Sequence, residues 1–124
     1  MRPVTDQTRL REMDDAAHLV RTGLKRLRAA ADVDDVQALA DVLRLTHDHH
    51  DREAGVLHAL AALLGTVWTR LAEIGEEHTD QAADRLMPAV FWIEDEAGDR
   101  IDRVRETLAQ ANGTGSTTSV DWEA

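Results

Sequence analysis

Apolar residues recur at Leu10, Met13, Ala17, Val20, Leu24, Leu27 and Ala31, in steps of three and four throughout. Only a helix returns side chains at that spacing to one side, so this segment is the seam of an amphipathic helix or a coiled coil, and a β architecture is excluded for it. Thr5 can cap its start by accepting from a free backbone amide. Arg21, Lys25, Arg26 and Arg28 crowd its C-terminal half, where the helix dipole favours cations. The pattern predicts a helix over 5–31.

Asp32, Asp34 and Asp35 follow as a cap and first-turn acids for a second helix over 33–48, with Val36, Leu39, Ala40 and Leu43 on its apolar face. So short a connection predicts antiparallel neighbours. Polar residues interrupt the pattern from His47 to Glu53, and it resumes through Leu57, Leu60, Leu64, Trp68 and Leu71, which predicts a third helix over 52–76. Because the seam can also be carried across Leu43, His47, His50, Ala54 and Leu57, one long helix through 33–76 is the alternative. A fourth helix, over 80–111, is capped by Thr79 or Asp80 and bears Leu86, Val90, Ile93, Ile101, Val104 and Leu108. Pro88 lies inside it, and a missing amide with a ring in the preceding turn predicts a kink or restart at 84–88. Asn112-Gly113 reads as a stop, and the small polar residues of 112–124 as a disordered tail. The expected fold is all-α, an antiparallel four-helix bundle over 1–111 followed by that tail, with the long first seam completed by a second copy in a homodimer.

Composition narrows function mainly by exclusion. There is no cysteine, which removes disulfides, thiolate metal sites and cysteine nucleophiles. Fourteen basic residues against 24 acidic ones give a net charge of −10, which disfavours direct nucleic-acid or anionic-membrane binding and favours cationic or metal-bearing partners. The first residues lack the apolar stretch of a signal peptide. The best apolar run, Val56 to Trp68, is broken by His58 and too short for a bilayer, so a cytoplasmic protein is expected.

Three constellations could carry chemistry. His47, His50 and Asp51 converge on one face if that stretch is helical, with His58 three turns further on, and would suit zinc, iron or nickel; the competing reading is a solvated helix end. Glu73-Ile-Gly-Glu76 and Glu96-Ala-Gly-Asp99 place two carboxylate pairs one turn apart on two helices. This pattern resembles the ExxE and ExxD pairs of the all-α MazG-like nucleotide pyrophosphohydrolases. The resemblance implies that Glu73, Glu76, Glu96 and Asp99 hold magnesium, whose activated water cleaves a nucleoside triphosphate. Acids gathered at Glu73, Glu76 and Glu77 oppose the dipole of a helix ending there, so they either open the next helix or serve a cation. Finally, Phe91 and Trp92 are adjacent, and one narrow face cannot bury both. Trp92 falls on the polar side with Pro88, Glu96 and Asp99, and is expected to be exposed as an interface anchor beside Met87. Trp122 in the tail is a candidate docking residue.

The leading expectation is therefore a binding protein without a cofactor, recognising a protein partner through Trp92 and Met87 and itself through Leu24. A magnesium-dependent pyrophosphohydrolase is the alternative.

Overall fold

The computed structural model describes the backbone from residue 4 to 123 and the side chains from residue 6 to 111. The described residues are all-helical, with no strand. They comprise α1 (Val4–Ala31), α2 (Val36–Thr46), α3 (Val56–Ile74), α4 (Glu77–Phe91), a π-helical segment (Trp92–Ala97) and α5 (Gly98–Glu123). Two compact units divide the chain between Val42 and Leu43.

In the first unit α1 follows its predicted span closely. Met13, Val20 and Leu24 on its seam remain 58%, 60% and 47% exposed. Asp35 caps α2, its carboxylate accepting from the backbone N–H groups of Gln37 and Ala38 at 3.0 and 3.4 Å. Cap and helix thus begin later than the expected residue 33.

In the second unit the alternative of one helix through 33–76 is excluded, because α2 ends at Thr46 and a loop with a 3₁₀ turn at Arg52–Ala54 precedes α3. Gly75, left-handed at φ 74°, ends α3 and reverses the chain into α4. The hairpin brings Gly65 opposite Val90 and His58 opposite Glu94. Ala61 and Ala83 are its buried apolar residues, and their small size permits close helix approach.

Two boundaries differ from expectation for physical reasons. Helix α4 starts at Glu77 because Glu76 is the N-cap, and Thr79 returns the bond, its hydroxyl accepting from the Glu76 backbone N–H at 3.0 Å. Glu76 and Glu77 therefore belong to the favourable positive end of α4, which resolves the crowding of acids at this point. The helix also carries through Pro88 without restarting at 84–88. The irregularity lies further on, in the widened π turn that begins at Trp92. The backbone of α5 continues past the stop expected at Asn112-Gly113. Trp122 and the other tail side chains lie outside the described residues. Among the described residues no helix is long and apolar enough to cross a membrane.

Candidate functional site

The second unit concentrates its polar chemistry where the α2–α3 loop meets the π segment and the start of α5. Local hydrogen bonds shape the loop. The His50 N–H donates to Asp48 Oδ1 at 3.0 Å, and the Asp51 N–H to the Asp48 carbonyl at 3.0 Å. The His50 amide, with the Arg105 guanidinium 3.4 Å from Oδ1, holds the Asp48 carboxyl below its ordinary value of 3.8.

His47 is the anchor. It is 2% exposed, and its ring lies flush against Gly98, where a Cβ would stand 2.7 Å from Cε1. The absence of a side chain at Gly98 is what makes room for the imidazole. His47 Nε2 faces Asp102 Oδ2 at 3.4 Å, and His49 Nδ1 faces Asp102 Oδ1 at 3.5 Å. These separations exceed good hydrogen-bond lengths, and His47 Nδ1 and Asp102 Oδ1 are buried without a hydrogen-bond partner. The pair resembles a base and its orienting carboxylate. The ring is almost wholly enclosed, with only its edge at a carboxylate-lined depression, and its geometric effect is to hold the loop against α5.

On the other side of the loop, His58 Nδ1–H donates to Glu94 Oε2 at 2.7 Å, and Arg52 reaches Glu94 at 3.8 Å and Asp95 at 3.1 Å. Both carboxylates belong to the π segment. The loop and the N-terminal end of α3 therefore hold this segment through the part-buried His58–Glu94 contact, to which Arg52 adds solvent-exposed pairs.

The outer side of the same turn is apolar. Trp92 is 58% exposed, Phe91 55% and Met87 39%. Pro88, Phe91, Trp92, Asp95 and Glu96 line an open groove of about 340 Å³. A second depression, about 370 Å³, adjoins it and shares Asp95 and Glu96, with His47, His49, Arg52, Asp99 and Asp102 among its other walls. One turn of backbone thus presents an aromatic groove beside a carboxylate-lined one, divided by a pair of acids.

The other predicted residues are not gathered into this arrangement. His47, His50 and Asp51 share no helical face, because α2 ends before them. His47 turns inward, the His50 ring lies tilted against His49 with centroids 3.9 Å apart, and Asp51 precedes the 3₁₀ turn. Glu73 pairs with Arg70, Glu96 with Arg100 and Asp99 with Arg103, while Glu76 caps α4. Glu76 and Glu96 are separated along the α4–π–α5 path by roughly 30 Å. Among the described residues no group of three or more histidines and carboxylates is arranged to hold a metal ion. Leu24 lies in the first unit, away in sequence from Trp92 and Met87.

Sequence reasoning missed His49, Glu94, Asp102 and Arg105. Their partners lie tens of residues away, so no local spacing announces them. The glycines at positions 55 and 98, which approach the Thr46–His47 backbone and the His47 ring, are the sequence signals of a close approach here. Comparison with known protein families, characterised proteins and solved structures finds no match.

Proposed function

We propose that this chain is a cytoplasmic protein-binding module whose π-segment surface takes a partner peptide bearing an apolar side chain flanked by arginine or lysine. The observation that carries the reading is the exposure of two adjacent aromatic residues, Phe91 and Trp92, on a turn held from behind by His58, Arg52 and Glu94. An exposed tryptophan fixed on a braced backbone has little ordering entropy left to lose, the condition under which an aromatic anchor contributes most to binding.

Charge supports the choice of partner. Asp95 and Glu96 rim the aromatic groove, and Asp99 and Asp102 continue the acidic lining beyond them. The ion pairs that Asp95 and Glu96 make with Arg52 and Arg100 are solvent-exposed, hence weak and readily exchanged for a partner's cation. The net charge of −10 acts in the same direction at longer range. No observation favours the magnesium-dependent hydrolase, whose Glu76 and Glu96 lie roughly 30 Å apart along the α4–π path. The reading includes self-association through α1, with the helices packed as an antiparallel bundle.

A random-peptide display selection tests the proposal. Peptides enriched on the wild-type chain should carry an aromatic or branched aliphatic residue next to Arg or Lys, and should be lost on Trp92→Ala. Enrichment that survives Trp92→Ala, or peptides without a basic residue, would refute it.

A further inference from the structure

The seam of α1 is a two-in-seven repeat without deviation. Leu10, Ala17, Leu24 and Ala31 occupy one heptad position, and Met13, Val20 and Leu27 the other. A stripe this narrow, with a period of about 3.5, is what a facing coiled-coil helix covers; a helix laid on a globular core carries a broader stripe. Most of it stands open, from Leu10 at 37% exposed to Val20 at 60%.

Charge says what covers it. Residues 4–18 carry four acids and two arginines, a net −2, whereas residues 19–31 carry four basic residues and no acid, a net +4. A second copy running the opposite way sets each acidic half against a basic half and opposes the two helix dipoles favourably. A parallel copy stacks the two basic halves on each other.

Packing selects the same orientation, and overlap sets the register: pairing Leu10 with Leu27 overlaps residues 6–31 of α1, more than the neighbouring antiparallel heptad registers do. Reversed about the point between His18 and Leu19, the seam meets itself as Leu10 on Leu27, Met13 on Leu24 and Ala17 on Val20, so no layer joins two alanines. The parallel register joins Ala17 to Ala17 and Ala31 to Ala31, leaving thin layers that cost contact. Along one flank of the reversed pair, Asp14 comes beside Arg21 of the second copy, and Gln7 beside Arg28. Among the described residues Asp14 and Arg21 have no ion pair within their own chain. The other flank holds Arg9 at its end and then Ala16, Gly23 and Ala30, small enough for close approach. A 28-residue helix offers a seam roughly 42 Å long. With a width on the order of 10 Å, the footprint is about 400 Å² per copy, about half that of a standard interface, so the pair is expected to form at micromolar rather than nanomolar concentration.

We propose that α1 pairs with α1 of a second copy as an antiparallel coiled coil in the register Leu10 to Leu27. The chain has no cysteine, so single thiols report the register directly. Full-length Leu10→Cys and Leu27→Cys variants are oxidised separately and as a mixture, and the wild-type mass is measured by sedimentation equilibrium at tens of micromolar. The mixture should give a covalent species of twice the 13.8 kDa chain. Neither variant alone should, because like positions lie roughly 25 Å apart in this register. The wild-type chain should sediment as a dimer. Cross-linking of Leu10→Cys with itself would overturn the antiparallel register. A monomeric wild-type mass, or a dimer whose mixed thiols fail to link, would overturn pairing through this seam. Trp92→Ala should leave every one of these results unchanged, so their failure is separable from failure of the peptide-binding reading.

Discussion

Substituting Gly98 with alanine tests the packing on which the candidate site rests. The added Cβ would lie 2.7 Å from His47 Cε1 and 2.9 Å from both ring nitrogens, whereas ordinary contact begins near 3.4 Å. The ring, 2% exposed, must therefore retreat by about 0.7 Å from a close-packed contact. Retreat also disturbs the approach of Nε2 to Asp102 and the bond that Arg105 donates to the His47 carbonyl. Overpacking of this kind costs about 1–3 kcal/mol, and exchanging glycine for alanine in a helix returns about 1 kcal/mol. The expected net is a loss of about 1 kcal/mol. Gly65→Ala is the matched control, since its Cβ meets nothing nearer than Val90 Cγ1 at 4.0 Å. It should gain about 1 kcal/mol from propensity alone. Urea denaturation at one fixed protein concentration reads both, and the two variants should differ by about 2 kcal/mol. In a His47→Ala background the penalty should vanish and Gly98→Ala should stabilise. If Gly98→Ala stabilises the otherwise wild-type chain as much as Gly65→Ala does, His47 does not occupy the space beside Gly98.

Gly75→Ala forces a left-handed residue at φ 74° on a side chain that disfavours it, and should cost about 1–2 kcal/mol in the same denaturation assay. No loss would mean that the α3–α4 turn has another conformation. The Asp48 carboxyl is held below 3.8, so folding favours its ionised form. Its contribution is present above the unfolded value and is lost as pH falls through the lower folded value. Below about pH 4 the wild-type melting temperature should therefore fall more steeply than that of Asp48→Asn, and parallel curves would contradict the His50 and Arg105 contacts.

The helices were legible because their determinants are local. The α1 seam, Asp35 as a cap and the exposure of Trp92 follow from spacing within a few turns. The α2–α3 break was legible only as one of two alternatives, since the seam can be drawn through His47 and His50. The decision came from hydrogen bonds around Asp48 and from burial of His47 against a glycine about fifty residues away. The same distance in sequence hid Asp102 and Glu94 as partners of the loop. Pro88 sits inside α4, which does not restart there, and the irregular π segment begins four residues later, where no residue type in the sequence announces it. The acidic pairs looked like a metal site because spacing counts carboxylates without their counter-ions. Arg70, Arg100 and Arg103, three or four residues from their partners, could have been read as exposed helical ion pairs.

Trp92 is proposed to recognise a partner without supporting the fold. The direct test is the affinity of a selected apolar-basic peptide for the wild-type and Trp92→Ala chains by titration calorimetry, with melting temperatures measured on the same samples. An anchor of about 2 kcal/mol predicts affinity weakened by roughly 30-fold. The melting temperature should change little, since the indole is more than half exposed. Unchanged affinity, or a loss of several kcal/mol in stability accompanying weaker binding, would contradict the account.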